Sequence, residues 1–268
     1  MELVDAIILG LVQGITEFLP ISSTGHLVIV REWMQVSDVN ALAFDAMLHF
    51  GTTLAIVIYF WSDIWVLIQA VLRKLGRLPV NEKDLTLFYA LVVGTIPAVI
   101  FGLLLESYIS QFETAVVVAV VLFFASLFFI FAEWRYYLKP PQGTLTIKRG
   151  LQVGFFQALA LIPGLSRSGT TIAGGMLLGM TRYEASRFSF LLAIPITIAV
   201  GSKKLLELIG SHQEVEWLPI WVGVTTATIT AFLVIHFFLA FIRRYTLWPF
   251  IWYGIILSGF VFYATLVG

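Results

Sequence analysis

The chain contains no cysteine, which excludes disulfides, thiolate metal sites and a cysteine nucleophile. Charge is scarce too: Asp, Glu, Lys and Arg make up 12% of 268 residues, with 16 acidic against 16 basic and a net charge of zero. Nucleic-acid binding calls for a basic surplus, so no nucleic-acid partner is expected. Glu2 and Asp5 stand where a basic n-region would be, and no cleavable signal peptide is expected. What the chain does have is hydrocarbon. Hydrophobic residues make up 59% of it and mean hydropathy is +0.95, far from soluble averages. These values describe an all-α integral membrane protein with room for about six to eight spans at ~20 residues each. The spans are helical because lipid offers the backbone no hydrogen-bond partner.

Polar residues cluster at two places, and the clusters correspond. Glu17-Phe18-Leu19-Pro20-Ile21-Ser22-Ser23-Thr24-Gly25-His26 interrupts one apolar run, and Pro163-Gly164-Leu165-Ser166-Arg167-Ser168-Gly169-Thr170-Thr171 interrupts another. An offset of 144 carries Gly10 to Gly154, Gln13 to Gln157, Ser22 to Ser166 and Gly25 to Gly169, and beyond the clusters Phe44 to Phe188, Leu48 to Leu192 and Thr53 to Thr197. Paired interrupted segments in the two halves of a membrane protein point to the functional site.

Each half holds three stretches long enough to cross: about Phe44–Ile68, Leu85–Leu105 and Thr114–Ala132, then Phe188–Leu208, Trp217–Ile242 and Leu247–Gly268. The pieces beside the clusters, Ala6–Thr16 with Leu27–Val30 and Gly150–Ile162 with Ile172–Met180, are too short to span. The expected architecture is a single membrane domain over 1–268 with six transmembrane helices and two re-entrant helix hairpins. It forms an inverted-topology repeat, with one copy in 1–138 and the other in 149–268, because three spans per half reverse the orientation. Arg73, Lys74, Arg77, Lys83, Arg135, Lys139, Lys148, Arg149, Arg243 and Arg244 fall on one side, against Arg31, Lys203 and Lys204 on the other. The positive-inside rule then puts both termini outside the cytoplasm.

Arg167 sits between the helix-breaking Pro163-Gly164 and an apolar run. With Ser166 or Ser168 as N-cap, free N–H groups and a positive helix end would lie beside a guanidinium, which suits a phosphate held also by Gly169 and Thr171. The alternative is an arginine snorkelling from a helix end. Glu17, lone in an apolar stretch, needs a partner, a proton or a metal. Gln13, one helical turn earlier, could join it around a hard cation, or Glu17 could be a protonated acid bonded inside the bundle. Ser22, Ser23, Thr24 and Gly25 read as caps, packing contacts or substrate ligands. His26 raises the prospect of Ser23 as a nucleophile with a base three residues on. Asp45 and His49, on one helical face, read as an interfacial pair that could support the site, and His236 as a packed histidine. Glu106, Glu113, Glu133 and His212 read as span-end or loop residues, and Trp61, Trp134 and Trp248 as interface anchors.

Gln13 with EFLPISSTGH, and PGLSRSGTT, resemble the bacterial undecaprenyl pyrophosphate phosphatase family, also called the bacitracin-resistance protein family. The resemblance covers essentially the whole chain. The family's Glu/Gln-x3-Glu signature falls on Gln13 and Glu17, where some members carry Glu at the first position, and its Pro-Gly-x-Ser-Arg-Ser-Gly-x-Thr signature on Pro163–Thr171. The resemblance implies a Mg²⁺- or Ca²⁺-dependent phosphatase of the bacterial cytoplasmic (inner) membrane. Its substrate would be a polyprenyl pyrophosphate lipid, its surroundings membrane lipids, and its active site would open to the periplasmic face. Monomer and homodimer both stay open. The mechanism expected has Arg167 clamping phosphate, a cation at Glu17 and Gln13, and Ser23 attacking with His26 or Glu17 as base; attack by His26 itself or by water is the other route. A rival reading is a flippase for the monophosphate lipid, since inverted repeats with broken helices are also a transporter architecture. The acid-phosphatase-like lipid phosphatases do not fit, because the chain has no Lys-x6-Arg-Pro and carries Ala173 where their histidine would stand.

Overall fold

The computed structural model describes residues 2–35, 41–109, 112, 114–210 and 216–267. Glu113 and His212 lie outside the described residues, as do the side chains of Glu106 and Lys204. Eleven helices make up the described architecture: α1 Leu3–Thr16, α2 Ser23–Met34, α3 Ala41–Tyr59, α4 Trp61–Leu75, α5 Glu82–Ile109, α6 Ala115–Leu138, α7 Ile147–Leu159, α8 Arg167–Leu177, α9 Arg182–Gly210, α10 Trp217–Ile242 and α11 Trp248–Val267. Five of them (α5, α6, α9, α10 and α11) are long and apolar enough to cross a membrane. Outward faces carry residues such as Leu103, Phe124, Phe237 and Ile256, as a lipid-solvated surface requires.

The span expected over Phe44–Ile68 is not one straight helix. It breaks at Phe60 and turns by 73° into α4. Phe60 departs from helical geometry (φ −98°, ψ 20°), and just beyond it Ser62 and Asp63 interrupt the apolar run. The bend sets Asp63 in an ion pair with Arg187 of α9. Only Leu67 and Ala70 of α4 are buried.

At 1.5 Å per residue, α1, α2, α7 and α8 are each about 16–21 Å long, short of the ~30 Å hydrocarbon layer. Of these, α1 and α7 are held by the opposite half of the chain, while α2 lies against α1 and α6, and α8 against α9, α6 and α7. Helix α1 packs along α10 and α7 along α5, while α3 meets α9 and α6 meets α11. Both short-helix crossings are made by glycine. A Cβ on Gly10 would stand 2.6 Å from the Gly223 carbonyl oxygen, and one on Gly154 would overlap the Gly94 backbone. Small residues let membrane helices approach closely enough for dispersion to hold them, and here Gly10 and its counterpart at the 144 offset, Gly154, each do so against a glycine of the partner helix.

Two residues differ from their sequence reading. Glu133 is buried at 3% exposure rather than at a free span end. It pairs with Arg182 of α9 and accepts the Leu247 N–H at 2.7 Å, just before α11. A buried carboxylate at a helix end persists when cation and backbone donors converge on it, and this one joins three helices. His236 is exposed, with its ring against Tyr59, because its face of α10 points away from the core.

Candidate active site

The two clusters fold into matching turns. Helix α1 ends at Thr16, residues 17–21 turn, and Ser22 caps α2. Helix α7 ends at Leu159, and Ser166 caps α8. Ser22 (φ 69°) and Ser166 (φ 44°) both adopt left-handed φ, a conformation that costs a non-glycine residue about 1–3 kcal/mol. Serine rather than glycine stands there because its hydroxyl is the cap. Ser22 Oγ accepts the Gly25 N–H at 3.4 Å and Ser166 Oγ the Gly169 N–H at 3.2 Å. The strained caps start the two helices in the same way, so that Ser23 and Arg167 are their first residues.

The turns touch each other. Arg167 Nη2 pairs with Glu17 Oε1, Ser168 Oγ donates to the Leu19 carbonyl at 3.0 Å, and a Cβ on Gly169 would come within 2.9 Å of Pro20. Glu17, 5% exposed, is the hub. Its Oε2 accepts from Ser23 Oγ at 2.8 Å and from Gln13 Nε2 at 2.7 Å, and lies 2.9 Å from His49 Nδ1. Gln13 Nε2 also lies 2.7 Å from His49 Nδ1, while its buried Oε1 has no partner among the described residues. A cleft of about 240 Å³ opens over these groups, lined by Glu17, Ser23, Thr24, His49, Ser166 and Arg167 among others, with Ser22 also on its wall.

Other residues marked in the sequence lie elsewhere. Gly25, Ser168, Gly169 and Thr171 are off the cleft wall; Gly25 and Gly169 supply the capped N–H groups, and Thr171 Oγ1 meets Ser189 Oγ at 2.5 Å. The pairing of Ser23 with His26 is not made. His26 bonds to the Ser22 carbonyl and to the Tyr253 hydroxyl, both at 2.7 Å, and stacks on the Tyr253 ring of α11. Three residues on, its side chain leaves α2 toward a neighbouring helix, whereas Ser23 at the first position faces the turn. Asp45 does not pair with His49 by a hydrogen bond; it takes Arg31 at 2.5 Å. His49, read in the sequence as half of an interfacial pair that could support the site, instead joins the site directly. Its contact with Gln13 spans 36 residues, and the available signal was an ionisable side chain within a span.

Among the described residues, no three His, Cys, Asp or Glu side chains are grouped to hold a metal ion. The donors beside the cleft are one carboxylate, Glu17, and the unpartnered Gln13 Oε1. That set suits a hard cation of the Mg²⁺ type, which takes one or two carboxylates and fills its shell with water and substrate phosphate.

Relatives of this chain carry names. Over residues 6–260 it matches the family model described as bacitracin resistance protein BacA. A protein of Marinobacter nauticus named undecaprenyl-diphosphatase is 41% identical over the full length of both chains. Another of that name, from Micrococcus luteus, is 39% identical over 98% of this chain and 96% of its own, and one from Idiomarina loihiensis is 40% identical over 96% and 97%. With a family match spanning nearly the whole sequence and relatives at this identity end to end, the chain belongs to the BacA bacitracin-resistance protein family.

Proposed function

We propose that this membrane protein hydrolyses undecaprenyl pyrophosphate to undecaprenyl phosphate and inorganic phosphate, the activity its relatives are named for, returning the lipid carrier to cell-wall synthesis and conferring bacitracin resistance. The observation that carries the reading is the placement of Ser23 Oγ 2.8 Å from Glu17 Oε2, with Arg167 on the other carboxylate oxygen. A nucleophile, its base and an anion clamp thereby meet at one cleft, although 150 residues separate Glu17 from Arg167.

In the proposed reaction the pyrophosphate enters the cleft and Arg167 exchanges Glu17 Oε1 for phosphate oxygens, which its fork-shaped donors match. Ser23 Oγ attacks the terminal phosphorus while its proton passes to Glu17, and the bond to the bridging oxygen breaks to release undecaprenyl phosphate. Once Glu17 has passed that proton to the departing undecaprenyl phosphate, water attacks the phosphoserine with Glu17 again as base; the bond from Ser23 Oγ to phosphorus breaks, Oγ takes the proton back from Glu17, and phosphate leaves. His49 steadies the charge on Glu17 through Nδ1. Phosphoryl transfer depends mostly on positioning and charge stabilisation, which this arrangement supplies. A divalent cation, Mg²⁺ or Ca²⁺, would be held by Glu17 and Gln13 Oε1 and would neutralise phosphate charge when bound.

The same reading makes α1–α2 and α7–α8 re-entrant hairpins that enter from opposite faces and meet at their tips. Their short lengths, the glycine crossings repeated in both halves and the two identical serine caps support it. Counted over six spans, the basic residues support termini outside the cytoplasm and a site reached from the periplasm.

The test is phosphate release from a prenyl pyrophosphate by the purified protein in detergent, in chelator and with Mg²⁺ or Ca²⁺ restored, followed by mapping of any phosphorylated residue. Metal-dependent release with label on Ser23 is expected, and label on His26 or on no residue would overturn the nucleophile. Lipid movement that survives Ser23→Ala, with no hydrolysis by the parent protein, would make the chain a flippase instead.

A further inference from the structure

A second cavity, of about 1010 Å³, lies at the opposite end of α7 and α8 from the candidate active site. Arg135 and Lys139 reach it from the end of α6, and Lys148 and Arg149 from the first turn of α7; among the described residues, none on its wall is acidic. Among the described residues, none of these four cations has a carboxylate partner. The adjacent cleft is different, since Glu82, Asp84 and Glu184 accompany Lys83 and Arg187 there.

The cavity is built as well as charged. The Gly143 N–H donates to the Gly179 carbonyl at 3.1 Å, tying the 139–146 connection to the end of α8. Arg149 Nη1 donates to the Thr144 carbonyl and packs over Gly143, where a Cβ would collide with the guanidinium. Its floor, Met176, Leu177 and Leu178, and its edge at Leu138 are apolar. Trp134 and Tyr137 stand exposed one turn or less away on α6, as aromatic residues do at headgroup depth. Lys148 and Arg149 also sit at the N-terminal end of their helix, where the backbone dipole disfavours positive charge. A topogenic signal requires basic residues on one side, but neither a preformed cavity nor a placement that opposes the dipole.

We propose that this cavity binds a phosphate-bearing lipid headgroup, with an acyl chain along Leu138. The ligand's negative charge offsets four converging cations, in the manner of basic pockets between membrane helices. The site clasps the root of the α7–α8 hairpin, about 20 Å along α7 from the tip, so its occupant braces the element that carries Arg167. This inference is independent of the proposed reaction.

The test is retention of phosphatidylglycerol against phosphatidylcholine by the purified full-length protein, read by native mass spectrometry and by the lipid-induced rise in thermal midpoint. At roughly fivefold per lysine near the headgroup, Lys139→Gln/Lys148→Gln should weaken phosphatidylglycerol retention about thirtyfold. Arg73→Gln/Lys74→Gln, on the other basic segment, should leave it within a few-fold. Thr144→Glu, which adds an acid to the wall and removes no cation, should weaken it in the same way and serves if the double variant misfolds. Equal retention by the pocket variants, or an equal loss in the Arg73/Lys74 control, overturns the proposal. Tight binding of inorganic phosphate alone, with no preference for the lipid, assigns the cavity to soluble phosphate and overturns the lipid ligand.

Discussion

Replacing Glu17 with glutamine preserves the size of the side chain and removes its charge, and the contacts set the outcome. Four side chains converge on this carboxylate: Arg167 on Oε1, and Ser23, Gln13 and His49 on Oε2. Glutamine offers one acceptor oxygen for all of them, and its NH₂ faces at least one donor. Loss of one partner from a buried ion pair typically costs about 3–5 kcal/mol. Glu17 has 3% of its side chain exposed and Arg167 19%, so the arginine can turn partly toward the cleft, and the loss should fall near the lower end of that range. Turnover should fall further, because a neutral amide cannot take the Ser23 proton; general-base catalysis is worth about 10²–10⁴-fold. The assay is phosphate release and thermal midpoint for Glu17→Gln, Arg167→Gln and the double variant. In the double variant the stranded guanidinium is gone, so its loss of stability should be smaller than the sum of the two single losses. Stability losses that simply add, or a Glu17→Gln protein within tenfold of normal turnover, would refute the view of Glu17 as both ion-pair partner and base.

Arg167→Lys should lose about 10²–10³-fold in turnover despite keeping its charge, because an ammonium lacks the planar fork; kinetics on a prenyl pyrophosphate decides. Gly154→Ala should lower the thermal midpoint more than an alanine at exposed Gly210, since its methyl would overlap the Gly94 backbone whereas none of the described residues would meet one at Gly210 within 4 Å. Gln13→Glu adds a second carboxylate beside Glu17 and should lower the Mg²⁺ concentration for half-maximal activity by roughly tenfold, an effect of ligand charge; a Mg²⁺ titration that does not move would remove Gln13 from the cation site.

Much of the architecture is legible in the chain because lipid imposes simple rules. Apolar runs of sufficient length become helices, and five spans stand where their runs lie. Local chemistry is legible too: Ser22 and Ser166, paired by the 144 offset, cap their helices with the same unusual backbone. The break at Phe60 was harder to read, since a run interrupted only by Ser62 and Asp63 is compatible with a straight helix until Arg187 provides a partner for Asp63. The burial of Glu133 near the end of α6 is not legible for a related reason, because its cation and its N–H donor come from distant parts of the chain.

By itself the sequence determined that this is a helical membrane protein with two corresponding polar clusters, and that Glu17, Ser23 and Arg167 stand in them. Those features depend on hydrophobicity, spacing and residue type, which are properties of the unfolded chain. Only the tertiary structure decided which partners those residues take. Ser23 faces Glu17 rather than His26, His26 goes to Tyr253, and His49 joins the hub from a separate helix. Such choices depend on how α3 and α11 are rotated and packed against the hairpins, and no local pattern encodes the angle at which a side chain leaves its helix.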